Sequence, residues 1–328
     1  MSRASISTGG LLLLGSILLL SGCFHRPDGQ GTLVPHEERW GIYALDLAAN
    51  TVELIYSASR KVSSLRLDSS GDRFAFSQKV GGGDNSHEEI CTLRVDGTDF
   101  ARLTNNTFWD LYPAWSPDGA QIAFLSNRDG NLDIFVMDAA GGNVRKLYDS
   151  GGHDADIDWR NGRIAFTRDS RIWLVNDDGA NAEQVTDPPL AGQWGNANLP
   201  FGDYDPRIHP DGSKIVFERL IDDTSSHGIY EIIVIDPTSK VETALTGNTY
   251  TQGLAAWSHG GDRLVYLVTA IGPVGKYDIW MMNADGTDNR DITPSYFPGH
   301  FLCHSPIFST DGSKVFFVGE WWSAAESD

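Results

Sequence analysis

Ten side chains in this sequence are of types that do chemistry once they are gathered: Asp110, Tyr112, His153, Asp154, Asp156, Asp203, Tyr204, Asp205, His300 and His304. Carboxylates are hard ligands suited to Ca2+, and Asp154 with Asp205 is the pair assigned to such an ion. Acids beside aromatic rings also suit a basic peptide or a saccharide. Three histidines raise transition-metal ligation, which needs nitrogen about 2.1 Å from the ion. His300 and His304 lie four apart in a segment without helical periodicity, which is not ligand geometry by itself. Two acids flanking a sugar would serve glycoside hydrolysis, a chemistry set by their separation. Each Asp also has a purely local use, fixing the turn into a strand. What lifts the set above that local use is that several fall on one side of the molecule.

The elements that put them there are repeats. Trp115-Ser116-Pro117-Asp118-Gly119-Ala120-Gln121-Ile122-Ala123-Phe124 reads as strand, tight turn, strand. Pro117 fixes φ in the turn and Gly119 takes the position where φ turns positive. Equivalent turns lead to Phe74 and Phe76, Phe166, Phe217, Tyr266 and Phe317. Their glycines, at 71, 119, 162, 212, 261 and 312, are 43 to 51 residues apart. A WD-like period of that length with four strand signals per unit predicts a β-propeller. The third strands are segments such as Asp133–Asp138, Arg171–Asn176 and Asp278–Asn283, and short fourth strands end in pairs such as Leu103-Thr104 and Ile292-Thr293. Residues 40 to 56 supply only a third and a fourth strand, and the chain from Ser305 only a first and a second. Joined, they complete one blade. The expected fold is all-β: a six-bladed propeller with four-stranded blades, closed by a two-plus-two seam. Closure removes exposed sheet edges.

Residues 1–22 read as a signal peptide, with Arg3 before the apolar run Leu11–Leu20, which is too short to span a bilayer as a helix. Leu20-Ser21-Gly22-Cys23 looks like a bacterial lipobox, which implies a lipid on Cys23 and, with Phe24 following, the outer membrane. Residues 23–39 have the composition of a tether. The propeller then occupies 40–328. The formal net charge of −19 excludes nucleic-acid binding through phosphates and favours cations or basic partners.

Trp-Ser-Pro-Asp-Gly followed by Ile-Ala-Phe, and Asp-Ile-Trp-x-Met-Asn-x-Asp-Gly, resemble the repeats of the TolB-like propeller family over residues 40 to 328. The resemblance implies the fold and a place in the bacterial envelope. The α/β domain that precedes the propeller in TolB has no counterpart in this sequence, so a partner bound through it is not implied. The same superfamily resembles in architecture the oligogalacturonate lyases, which use a His-ligated metal.

In such a ring the loops joining strands two to three, and each blade to the next, share one face. They hold most of the length variation here, at 80–88, 187–203, 220–228, 270–276 and 294–304. Long loops on a rigid scaffold carry binding, and this face is the one expected to function. There the ten residues, with Trp109, Trp194, Phe201, Tyr296, Phe297 and Phe301, would form an acidic, aromatic funnel. His209 and His259 fall on the opposite face. No Gly-x-Ser-x-Gly elbow occurs, and Gly81-Gly82-Gly83 lacks the Lys-Ser/Thr of a phosphate loop. Cys91 and Cys303 are placed too differently to pair, and Trp115, Trp159, Trp173, Trp257 and Trp280 are repeat-position core. The expected protein is a monomeric, non-enzymatic outer-membrane lipoprotein on the periplasmic or surface side. It would bind an envelope protein or basic peptide, with a saccharide as the further candidate. The alternative is a carbohydrate-active lyase or hydrolase using the same funnel.

Overall fold

A computed structural model describes residues 39–223, 228–247, 250–270, 277–298 and 301–321. Within them the chain forms six antiparallel four-stranded sheets around an axis. Blade one is β3 (Val62–Leu67), β4 (Arg73–Val80), β5 (His87–Arg94) and β6 (Ala101–Arg102). Blade two is β7 (Asp110–Trp115), β8 (Gln121–Ser126), β9 (Asp133–Asp138) and β10 (Arg145–Tyr148). Blade three is β11 (Asp154–Arg160), β12 (Arg163–Arg168), β13 (Arg171–Asn176) and β14 (Glu183–Gln184). Blade four is β15 (Asp203–Ile208), β16 (Ile215–Asp222), β17 (Ile229–Ile235) and β18 (Glu242–Ala244). Blade five is β19 (Tyr250–Trp257), β20 (Arg263–Ala270), β21 (Tyr277–Asn283) and β22 (Arg290–Asp291). The sixth sheet has the order β2-β1-β24-β23, from β1 (Trp40–Asp46), β2 (Thr51–Ala58), β23 (Phe301–Phe308) and β24 (Lys314–Trp321). There β1 runs beside β24 from Trp40↔Glu320 to Asp46↔Lys314. The Trp321 indole donates to the Tyr43 hydroxyl at 3.0 Å, and Arg39 meets Glu320 at 2.9 Å.

The repeated turns do what their residues dictate. Gly119 has φ 71° and its N–H donates to Ser116 O, while Asp118 accepts from the Ser116 hydroxyl and the Ala120 N–H. The aromatic that follows each turn is core: Phe74, Phe76, Phe124, Phe166, Phe217, Tyr266 and Phe317 are all fully buried between blades. The recurrent Leu-Thr pairs have a latch function. Thr104, Thr186, Thr246 and Thr293 accept, through Oγ1, the backbone N–H of Ile90, Ile172, Ile232 and Ile279 at 2.8–3.0 Å. Each ties a short fourth strand to the third, where few ladder bonds are available.

The innermost strands carry a feature the repeat pattern does not announce. In all six one residue has positive φ: Ser64, Tyr112, Asp156 and Asp205, each third in its strand, and Leu254 and Ser305, each fifth, at 46–55°. The register with the second strand slips at the same place in every blade. This is a ring of six β-bulges, which bend the strands and re-aim the side chains that follow. Pro113, Pro206 and Pro306 sit at these bulges, inside the strands. Proline is tolerated there because the inner edge faces the channel and its position makes no ladder hydrogen bond.

Candidate functional site: the two ends of the axial channel

Aligned on the bulges, the innermost strands stack their residues in rings along the channel. The first ring, at the end where blades connect, contains Val62, Asp110, Asp154, Asp203, Gln252 and Cys303. The third ring is the bulge itself. The fifth, at the other end, contains Arg66, Ala114, Asp158, Arg207, Ala256 and Ile307.

The five acids of the expected funnel are buried, each at 0–2% exposure, so they lie within the channel wall rather than on an open rim. Asp110 is held by Arg128 at 3.1 and 3.2 Å and by the Asn106 amide at 2.7 Å. Asp203 takes a two-pronged contact from Arg219, at 2.6 and 2.9 Å, and burial still raises its carboxyl above the usual range. Asp154 stands apart. Its two oxygens are buried with no partner in hydrogen-bonding geometry. Burial pushes its carboxyl up to about 7, with Asp133 adding to the rise and Ser150 and Arg168 opposing it.

Asp156 and Asp205 belong to the bulge ring. A bulge frees a backbone N–H, and a polar side chain of the preceding blade takes it up. Ser77 accepts from Tyr112 N–H at 3.1 Å, Asp156 from Asp205 N–H, and Glu218 from Leu254 N–H at 2.9 Å. Burial and then the Asp205 charge raise Asp156 and Glu218 well above the usual carboxylate range. Their part in the wall is structural as much as chemical. Sequence reasoning missed Glu218 because it lies on a second strand.

Asp154 and Asp205 are therefore in different surroundings, one beside Asp133 and Asp149, the other beside Asp156, Glu218 and Arg207. The structure does not bring the pair proposed for Ca2+ into one ligand set. Among the described residues no three His, Cys, Asp or Glu side chains converge as metal ligands. His153 uses Nδ1 to accept Leu132 N–H at 3.1 Å. His304 lies between the rings of Trp40 and Tyr277, with Nε2 3.4 Å from Glu320. His300 and Cys23 lie outside the described residues. Tyr112 is buried, and Tyr204 bonds Pro200 O and the Ser170 hydroxyl from within the core. Of the funnel aromatics, Phe297 and Phe301 pack against Phe317 in the core. Trp194 is 58% exposed. Cys91 and Cys303 are free and buried.

The opposite end of the channel holds a cavity of about 90 Å³ on the axis, lined by all six blades. The fifth-ring residues form its wall, and Trp115, Trp159, Trp257 and His259 surround them. Arg66 and Arg207 were not anticipated as site residues. The signal was present in the repeat alignment: basic charge at a position that three other blades fill with Ala or Ile and one with Asp158.

The sequence matches the family model for the TolB beta propeller domain over residues 32–258. The chain belongs to that family. It is 29% identical over 212 residues to an uncharacterized protein of Agrobacterium fabrum, a match covering 60% of this chain and 66% of the relative. It is 39% identical over 75 residues to the Tol-Pal system protein TolB of Syntrophus aciditrophicus, covering 23% of this chain and 17% of that one. The matches thus span less than two thirds of these relatives' own lengths. Among solved structures, a protein described as a TolB from Agrobacterium tumefaciens aligns with TM-score 0.68 and 15% identity, over 88% of this chain and all of that one. An oligogalacturonate lyase in complex with manganese aligns with TM-score 0.52 and 13% identity, over 87% of this chain and 84% of the lyase, a likeness of fold alone.

Proposed function

We propose that this TolB-family propeller is a binding scaffold of the bacterial envelope, held to the outer membrane through a lipid on Cys23 and engaging a protein partner with its long-loop face. The observation that carries the reading is the excursion between blades three and four. It is an ordered structure: Gly192 N–H donates to Phe201 O at 2.8 Å, Phe201 N–H to Gln193 O at 2.9 Å, and Asn196 N–H to the Asp223 carboxylate at 2.9 Å. Ala197, Tyr204, Leu220 and Tyr230 pack beneath it as a small core of their own. This base presents Trp194 to solvent at 58% exposure, with Leu190 at 45%. An exposed tryptophan on a loop that loses little conformational freedom on binding has the character of an interface anchor. Membership of a family that includes a Tol-Pal system protein supports an envelope partner.

The test is crosslinking and recovery from intact cells. Wild type should bring down a discrete envelope protein, and Trp194→Ala should lose it while melting at the same temperature. Equal recovery by the variant would remove the long-loop face from the reading.

A further inference from the structure

We propose that the axial cavity at the short-turn end of the channel is a site for a small oxyanion, a carboxylate or a phosphate, gripped by Arg66 and supported by Arg207. Arg66 and Arg207 occupy the same ring position in blades one and four of a six-bladed ring, so they face one another across the axis. Both line the cavity, and both are at least nine-tenths buried, at 8% exposure. Each donates one Nη1–H to the carbonyl of its own preceding residue, Leu65 at 2.9 Å and Pro206 at 2.6 Å. From there they differ. Arg207 reaches the Asp205 carboxylate at 3.4 Å. The Nε and Nη2 of Arg66 are buried without a hydrogen-bond partner.

Two more donors at the same cavity lack acceptors. The indole N–H groups of Trp115 and Trp159 are buried and unpartnered, whereas the equivalent Trp257 donates to Arg207 O at 3.0 Å. Of the carboxylates that line the cavity, Asp158 is already engaged by Ile208 N–H at 2.8 Å, and Asp68 by the Ser70 hydroxyl and the Asp72 and Arg73 N–H groups at 2.7–3.1 Å. The cavity is thus rich in donors and poor in open acceptors. A buried donor left unmade is costly, and a guanidinium edge with two free N–H groups matches the two oxygens of a carboxylate or phosphate.

Charge points the same way. The charged side chains that line the cavity are Arg66, Arg160 and Arg207 against Asp68 and Asp158, a set that tolerates one added negative charge on the Arg66 side. Burial, and then the facing charge of Arg207, lower Arg66 to about 9, a penalty that an anion between the two would relieve. The volume of about 90 Å³ holds a few water-sized groups, enough for formate, acetate or inorganic phosphate.

Trp115, Trp159 and Trp257 line the site, so intrinsic fluorescence reports its occupancy directly. The full-length protein would be titrated with sodium acetate and with sodium phosphate at constant ionic strength, with chloride as control, and its melting temperature followed in parallel. Saturable change with acetate alone assigns a carboxylate ligand. Change with phosphate alone assigns a phosphate, and change with both assigns an oxyanion site of low selectivity. Arg66→Gln should weaken the response by about tenfold or more, as expected for loss of a charge-assisted pair. Trp159→Phe, which keeps an aromatic ring and removes the donor, should weaken it less and serves should Arg66→Gln fail to fold. No saturable change beyond chloride in the wild type, or undiminished binding in both variants, would overturn the proposal.

Discussion

The two ends of the channel are made from the same six strands, yet they dispose their charges differently. At the end where blades connect, Asp110 and Asp203 each meet an arginine from their own blade, Arg128 just beyond its second strand and Arg219 within it. Those pairs close on themselves and leave little for a ligand. At the short-turn end the arginines come from the innermost strands, where the second strand offers no carboxylate. They are left facing one another across an open axis. A propeller's symmetry thus converts one substitution per blade into a ring, and the blades that break the ring's pattern determine its chemistry. The teaching is that a long-loop face and a binding channel are separable: the loops present surface, and the strand ends present buried charge.

Breaking a closed pair should have the largest effect. Asp110→Ala leaves Arg128 without its carboxylate, and we expect a loss of about 3 kcal/mol in urea unfolding, the low end for broken buried pairs because Arg128 is partly exposed. A loss below about 1 kcal/mol, on the order of a surface pair, would mean that the two ends do not differ as described.

Asp154 is the exception within its own ring, and it sharpens the contrast. Its carboxyl is raised to about 7 in the folded state, above the ordinary 3.8. The native state therefore holds a proton that the unfolded chain releases, and stability falls as pH rises from about 4 to 7, then levels off. Asp154→Asn mimics the protonated form. It should be more stable than wild type at pH 8, by at most about 4 kcal/mol, and equal to it near pH 4. A gap independent of pH would show that Asp154 is ionised and paired.

The smallest effect should come from a site remote from both ends. Thr104→Val removes the hydroxyl that accepts Ile90 N–H, at an expected cost of about 1 kcal/mol with no change in oxyanion response. A change in anion binding from this outer-strand latch would mean that the two ends are mechanically coupled through the blade.

Much of the architecture was legible because it is local and repeated. The turn sequence around Gly119 prescribes its own backbone, the alternation after it prescribes a half-buried strand, and five further copies prescribe a ring. The burial of Phe124 and its equivalents follows from the same alternation. The Thr latches were visible as a recurrence without a reason, which the bond from Thr104 to Ile90 supplies.

The candidate sites were only half legible. The acids were found, because Asp at a strand start is conspicuous, but whether Asp110 meets an arginine and Asp154 does not depends on where side chains of the second strand and its following turn reach. Arg66 and Arg207 are far apart in sequence, and nothing in either segment says that they share an axis. Their meeting follows from three blades of rotation and from bulges that re-aim the inner strands, neither of which leaves a local signature. Sequence by itself determined the repeat, since each turn and strand obeys short-range sterics and hydrophobic alternation. The tertiary structure alone decided the chemistry of the channel, since that depends on which buried charges closure of the ring brings into one low-dielectric space.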